Sequence, residues 1–185
     1  MLDRLYPLSE FLSHGEPEAG VPLQRLEVDG VPMPEPYRGL LVHARDMTST
    51  LEAYHGEQVG LRLLARRRHG DSLFRQVVLV GRESSKMVEF GAIRIDLAGF
   101  PPPARQEILL GRLPLGTILA RFRVANESRP RLFFRIRSDR RIEEIFALPG
   151  RSLLYGRQNE LIAGSGRLLA EVVEILPPAA GLRAV

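Results

Sequence analysis

Leu73-Phe74-Arg75-Gln76-Val77-Val78-Leu79-Val80 is the stretch that decides the fold. It is rich in β-branched and aromatic residues, contains neither glycine nor proline, and reads as a strand. Side chains alternate across a strand, so Arg75 shares a face with Leu73, Val77 and Leu79. Two similar period-two stretches flank it, Val59-Leu61-Leu63 before and Met87 to Leu97 after. The connections are His69-Gly70-Asp71 and Gly81 to Ser85, short and turn-forming, and strands joined that way lie antiparallel.

Outward from this core, Asp46-Met47-Thr48-Ser49-Thr50 offers N-cap residues, Leu51 and Tyr54 follow at helical spacing, and Gly56 closes a short helix. Pro101-Pro102-Pro103 ends the strand pattern and places Pro103 in the first turn of a helix that runs through Leu110 to Gly111. Another helix starts at Leu115-Gly116-Thr117-Ile118-Leu119. Strands are expected again over Arg131 to Arg137, Ile142 to Leu148, Gly156 to Ile162 and Leu168 to Leu176, with Gly164-Ser165-Gly166 turning between the last two. Strands outnumber helices and do not alternate strictly with them, which predicts an α+β domain with a largely antiparallel sheet and a few helices packed on it. The chain has 185 residues and is expected to form one domain over 1–185, with an irregular N-terminal arm over 1–38 and a loose tail over 179–185.

A hydrophobic content of 44% against 26% charged residues excludes wholesale disorder. Cysteine is absent, which excludes disulfide scaffolds, zinc ribbons and thiol catalysis. No signal-peptide pattern or long apolar run occurs, so the expectation is a cytoplasmic protein with no membrane partner. The formal net charge is +4, and Lys86 is the only lysine among 26 basic residues. That balance permits a nucleic-acid reading, yet Arg66-Arg67-Arg68 sits at a predicted strand end with no interleaved aromatics. It reads as a solvated strand end, and no nucleic-acid partner is expected.

His14, His43, His55 and His69 show no zinc-ligand spacing, so no metal is expected. Gly164-Ser165-Gly166 has Leu169 where a dinucleotide fingerprint needs its third glycine. Walker loops and GxSxG elbows are missing. What remains is a set of charged residues on apolar faces. Arg75 is the first, suited to an edge position, to a core ion pair or to anchoring a buried carboxylate. Glu174 shares a face with Leu168, Ala170, Val172 and Leu176, whereas Glu171 shares the other with Leu169, Val173 and Ile175, and one of the two is expected to face a cavity. Burial would raise that carboxyl's pKa and suit it to acid–base work, or it would be the internal partner of Arg75. Glu89, in register with Met87, Ile93 and Ile95, is a third such residue, although Gly91 suggests a bulge that resets the faces. Pro114-Leu115-Gly116 and Asp46-Met47-Thr48 each open a helix, where backbone amides either begin the helix or bind an anion.

Taken in order, Asp46-Met47-Thr48 with Leu51-Glu52 and Gly56, Phe74 to Leu79, Gly111-Arg112-Leu113-Pro114-Leu115-Gly116, Tyr155-Gly156-Arg157 and Glu174-Ile175-Leu176-Pro177-Pro178 resemble the chorismate lyase family over residues 40–178. That resemblance implies an antiparallel sheet with a ligand buried under flaps. It also implies a cofactor-independent lyase that eliminates pyruvate from chorismate to give 4-hydroxybenzoate, an activity of aromatic acid biosynthesis supplying quinone or phenolic precursors. Substrate contacts carry over to Met47, Thr48, Arg75, Leu115, Gly116 and Glu174, with Arg75 and Glu174 catalytic and Glu89, Arg157 and Glu171 as further candidates. Arg75 would pair with a substrate carboxylate, amides at Met47 and Leu115 would hold the same anion, and Glu174 would bind the ring hydroxyl or assist proton transfer. No cofactor is implied.

The rival reading is a binding module, since the same fold resembles the effector-binding domains of bacterial transcription regulators, which hold small acids without chemistry. Those regulators need a winged helix before this region, and residues 1–38 do not read as one. A lyase making a different hydroxybenzoate is a third reading. The oligomeric state is open, with a monomer among the options.

Overall fold

The computed structural model of the chain describes residues 5–11, 24–26 and 33–179, with the backbone alone of 24–26. The expected tail 179–185 and His14 lie almost wholly outside those residues. Among the described residues, one seven-stranded sheet forms from β1 (Gln24–Leu26), β2 (Val59–His69), β3 (Ser72–Gly81), β4 (Met87–Asp96), β5 (Asn126–Arg137), β6 (Leu153–Ala163) and β7 (Leu168–Leu176). Its order is β1-β5-β6-β7-β4-β3-β2, and every neighbouring pair is antiparallel. The helices are α1 (Tyr37–Leu41), α2 (Met47–His55), α3 (Pro102–Leu110), α4 (Leu115–Arg121) and α5 (Arg140–Phe146). The fold is α+β, as the alternation and turn spacing predict. No helix among the described residues is long and apolar enough to cross a membrane.

Local chemistry accounts for the elements. Asp46 caps α2 by accepting from the Ser49 amide at 2.8 Å, and Gly56 ends it in the left-handed region at φ 70°. Gly111 ends α3 in the same way at φ 67°. β2 and β3 meet through Gly70-Asp71, so that His69 pairs with Ser72. The basic run at the end of β2 does more than meet solvent. Arg66 Nη1 donates to Leu109 O at 3.0 Å near the C-terminus of α3, while Arg67 Nη1 donates to Glu10 O at 2.5 Å and its guanidinium lies over the Phe11 ring. Each arginine ties a different layer to the edge strand.

Two expectations change. Ile142 to Leu148 is not a strand. Asp139 accepts from the Ile142 amide at 2.8 Å and starts α5, whose Ile142 and Phe146 are one turn apart and both buried. The irregularity in β4 lies not at Gly91 but beside it toward the N-terminus. Leu79 pairs with Glu89 and Val80 with Met87, so Val88 is the extra residue. Met87 therefore packs with Val80 in the cluster on the far face, and Glu89 shares the near face with Gly91, Ile93 and Ile95. In the predicted arm, Leu8–Phe11 forms a 3-10 turn that buries Leu8 and Phe11, and Gln24–Leu26 pairs with β5.

The two faces of the sheet have different covers. On the far face, Phe74, Val78, Phe90, Val173 and Ile175 pack under Leu5, Leu8, Phe11 and α5. On the near face, two separate clusters form. One joins α1 and α2 to Leu79, Tyr155 and Leu176, and the other joins α3 and α4 to Leu73, Ile93, Ile95, Leu161 and Ala170. Between them the near face carries polar side chains.

One of these, Arg157 on β6, is fully buried and ties the loop after α1 to the sheet. It donates from Nη1 to Leu41 O at 3.1 Å and His43 O at 2.9 Å, from Nη2 to Arg45 O at 3.3 Å, and from Nε to Glu174 Oε2. His43 Nε2 lies 2.7 Å from Leu40 O and so carries the ring proton. Nδ1 accepts from the Arg45 amide at 3.2 Å and faces Arg157 Nη1 at 3.3 Å. Burial, then the Arg157 charge, lowers the His43 pKa.

Two outcomes follow for denaturation experiments. Gly156 lies against Phe134 and the Glu174 carbonyl, so Gly156→Ala is expected to lose about 1–3 kcal/mol by overpacking, whereas Gly164→Ala, with open space around it, should change urea midpoints little. The unfolded chain binds a proton at His43 more readily than the native one, so stability at this residue is complete above pH about 6.5 and is lost as pH falls below it. His43→Gln should flatten that acid-side loss in melts across pH 5–7.

Candidate functional site

The gap between the two near-face clusters is a cavity with about 70 Å³ of water-accessible space. Its floor is the sheet: Arg75, Val77 and Leu79 from β3, Glu89, Gly91 and Ile93 from β4, Val172 and Glu174 from β7, and Asn159 and Leu161 from β6. Its roof is the start of two helices, Asp46-Met47-Thr48 at α2 and Pro114-Leu115-Gly116 at α4, with Leu119 beside them. A β-carbon on Gly116 would sit 2.6 Å from Thr48 Oγ1 and 2.8 Å from Asp46 Oδ1, so a glycine there lets the two helix starts touch. No side chain caps α4.

Arg75 is 1% exposed, and its Nε and Nη1 find no hydrogen-bond partner among the described residues. Burial alone lowers its pKa to about 10, which leaves it charged at neutral pH. A buried guanidinium with unmet donors is among the costlier things a core can hold. The three acids that line the cavity do not relieve it, and the first of them, Asp46, accepts from the Ser49 amide and hydroxyl. Glu174 is held by Arg157, and Glu89 is 4% exposed with Oε2 unpartnered. Burial first, and then the neighbouring Glu174 charge, push the Glu89 pKa well up, against a smaller pull from Arg157, which favours its protonated form. Gly91 gives it room, since a β-carbon there would lie 3.1 Å from Glu89 Oε1 and 2.9 Å from Val173 O. Asn159 is occupied with Ser128, donating to its Oγ at 2.9 Å.

Seven of the sequence-selected residues, Arg75, Glu174, Met47, Thr48, Leu115, Gly116 and Glu89, line this one cavity. Two do not. Arg157 lies behind Glu174 and acts through it. Glu171 points to the far face, where its Oε2 accepts from Arg94 Nη1 at 3.0 Å. The expected core pair between Arg75 and Glu171 or Glu174 is absent among the described residues, because both acids have other arginines. Sequence reasoning missed Asn159 and Leu161. Their signal was the period-two spacing from Arg157 along β6, with a buried amide as the odd residue.

No family model matches the sequence, and no curated protein matches it. Among solved structures the fold is similar to PhnF from Mycobacterium smegmatis, at 12% identity over 75% of this chain and 66% of that one, with a TM-score of 0.58. It is also similar to the effector domain of PhnF from the same organism, at 12% identity over 72% of this chain and 89% of that one, with a TM-score of 0.56. A third is the possible transcriptional regulator YydK from Bacillus subtilis, at 5% identity over 71% and 62%, with a TM-score of 0.53. The chain thus spans just under two thirds of whole PhnF and most of its effector domain, and at these identities the likeness is one of fold. Its direction overturns the chorismate lyase resemblance, and with it the lyase activity, the chorismate and 4-hydroxybenzoate ligands and the place in aromatic acid biosynthesis. The expectation of no nucleic-acid partner falls as well, beside a neighbour described as a transcriptional regulator. The motifs behind the resemblance have duties that belong to the fold: Asp46 caps α2, and Gly116 lets α4 touch it.

Proposed function

We propose that this chain is a small-anion-binding module of the regulator effector type, which holds a small organic acid without converting it. The observation that carries this reading is Arg75, a buried cation with two unmet donors opening into a cavity. A ligand carboxylate is the counterion that the protein itself does not supply, and guanidinium and carboxylate match as a fork. The start of α2 above the cavity is already capped by the Asp46 carboxylate, so the charge partner open to an anion is Arg75. The mostly apolar lining suits an organic acid over a strongly hydrated inorganic anion. On this reading the module is one domain over 1–185, with the arm and tail as bounded above. It works in the cytoplasm, and its occupancy is read out through a nucleic-acid-binding partner segment of the regulator kind.

The test uses calorimetry and thermal melts with butyrate and inorganic phosphate as probes. Butyrate is expected to bind and raise Tm, and phosphate to do neither. Arg75→Met should weaken butyrate at least about 30-fold, since charged hydrogen bonds contribute about 1.5–3 kcal/mol each. In the unliganded protein the same substitution removes an unpaired buried charge, so it should leave stability unchanged or raise it by about 1–4 kcal/mol. Butyrate binding that survives Arg75→Met at full strength would remove Arg75 from the site, and destabilisation of the unliganded variant would mean that its charge is already satisfied.

A further inference from the structure

We propose that the cavity is built for a monoanion that carries a hydroxyl at the end away from Arg75, with Glu89 as the group that meets the hydroxyl. This rests on the anion-binding reading above and adds the ligand's second functional group.

The cavity holds two buried polar groups with unmet atoms, Arg75 Nε and Nη1 and Glu89 Oε2. They lie apart along the sheet. Arg75 on β3 pairs with Ile93 on β4, and Glu89 is four residues from Ile93 toward the start of that strand. At about 3.3 Å per residue this separates their backbones by about 13 Å along the strands, and both side chains line the one cavity. A ligand on Arg75 alone would leave Glu89 Oε2 without a partner from the protein or the ligand.

Charge decides what the second group is. The groups facing Glu89 are Glu174 from β7 and Arg157 from β6. Arg157 is fully committed, with Nε on Glu174 and its other nitrogens on the Leu41, His43 and Arg45 carbonyls. That pair cancels, the Asp46 carboxylate at the roof is spent on the Ser49 amide and hydroxyl, and burial beside Glu174 favours the neutral form of Glu89, so Arg75 is the charge left for the ligand to balance. A second carboxylate on the ligand would face Glu174 at close range. An ammonium would need Glu89 ionised beside Glu174, which puts three buried charges where one cation, Arg157, is already taken. A hydroxyl matches a protonated carboxyl in both senses, since each donates one hydrogen bond and accepts another.

Butyrate, 4-hydroxybutyrate, succinate and 4-aminobutyrate differ only in the group at the far end, and the same four ends on three-, five- and six-carbon chains vary the span. By calorimetry, the hydroxy acid of the best length is expected to bind about tenfold more tightly than its parent alkanoate. It should show the same heat in buffers of different ionisation enthalpy, meaning that no proton leaves Glu89. Glu89→Gln, whose amide still donates and accepts, should keep most of that preference. Glu89→Leu should lose it and leave alkanoate affinity in place. The proposal is overturned if the amino acid binds most tightly with proton release, if the dicarboxylate does, or if the hydroxyl brings no gain at any length. Arg75-dependent alkanoate binding with no hydroxyl gain would sink this inference alone. If no carboxylate of the series binds, the anion-binding reading falls with it.

Discussion

The arrangement depends on one buried guanidinium. Arg157 projects from the middle of the sheet and gathers the carbonyls of Leu41 at the end of α1 and of His43 and Arg45 in the loop that follows, so one buried side chain holds a loop that is itself half-buried to exposed. Its fourth partner, Glu174, belongs to the next strand. The loop it holds leads directly into the Asp46 cap and the first turn of α2, which is half of the cavity's roof. A single side chain thus joins floor to roof, and removing it would leave Glu174 as an unpaired buried anion as well as freeing the loop. Penalties of about 3–5 kcal/mol accompany that kind of break.

The second constraint is that β3 and β4 are covered on both sides. Seven consecutive residues of β3, Leu73 to Leu79, are buried, which is how a strand in the middle of a sandwich of helices and turns must read. The far cover packs evenly. The near cover does not, because α1 and α2 pack at one end and α3 and α4 at the other, and only their N-terminal starts meet, at Gly116. The cavity is the space left where four short helices fail to close over a long sheet, and its polar contents are the side chains that the sheet's alternation delivers there.

How much of this was legible in the sequence follows from the kind of signal each residue gave. Arg75 could be found because strand alternation is a strict rule, and a charge on the wrong face violates it visibly. The same rule separated Glu174 from Glu171, though not which of them faced inward, since that depends on the partner strand. Their partners, Arg157 for one and Arg94 for the other, are 17 and 77 residues away in sequence. The helix α5 was missed because Ile142-Glu143-Glu144-Ile145-Phe146 is short enough to satisfy either period. The deciding feature was the Asp139 cap, a one-residue signal. The shift of the β4 irregularity from Gly91 to Val88 had no local marker, because a bulge at an ordinary residue is fixed by the register of the strand beside it. The family resemblance misled for a related reason. Two of the motifs that carried it cap and pack the helix starts and the others are stretches of β3, β6 and β7, and a shared fold accounts for them whatever chemistry, or none, takes place beneath.

The unpaired Arg75 is what distinguishes this cavity from a packing defect. An apolar void would cost stability in proportion to its size and stay dry. A void ending in a buried cation carries a larger penalty, and an anion with matching acceptors relieves it most fully. The empty protein is therefore held above its occupied state by the desolvation of one guanidinium, and the occupied state gains what the empty one lacks. A module that reports on a ligand needs such a difference between two states, because a ligand can shift an equilibrium only by its differential interaction with them. Glu174 lies in the same cavity and connects through Arg157 to the loop ahead of α2, so on the same reading a change of charge at the floor has a route of two contacts to the backbone of the roof. On the anion-binding reading, the charge that makes the fold less stable when empty is also the part of it that would sense occupancy.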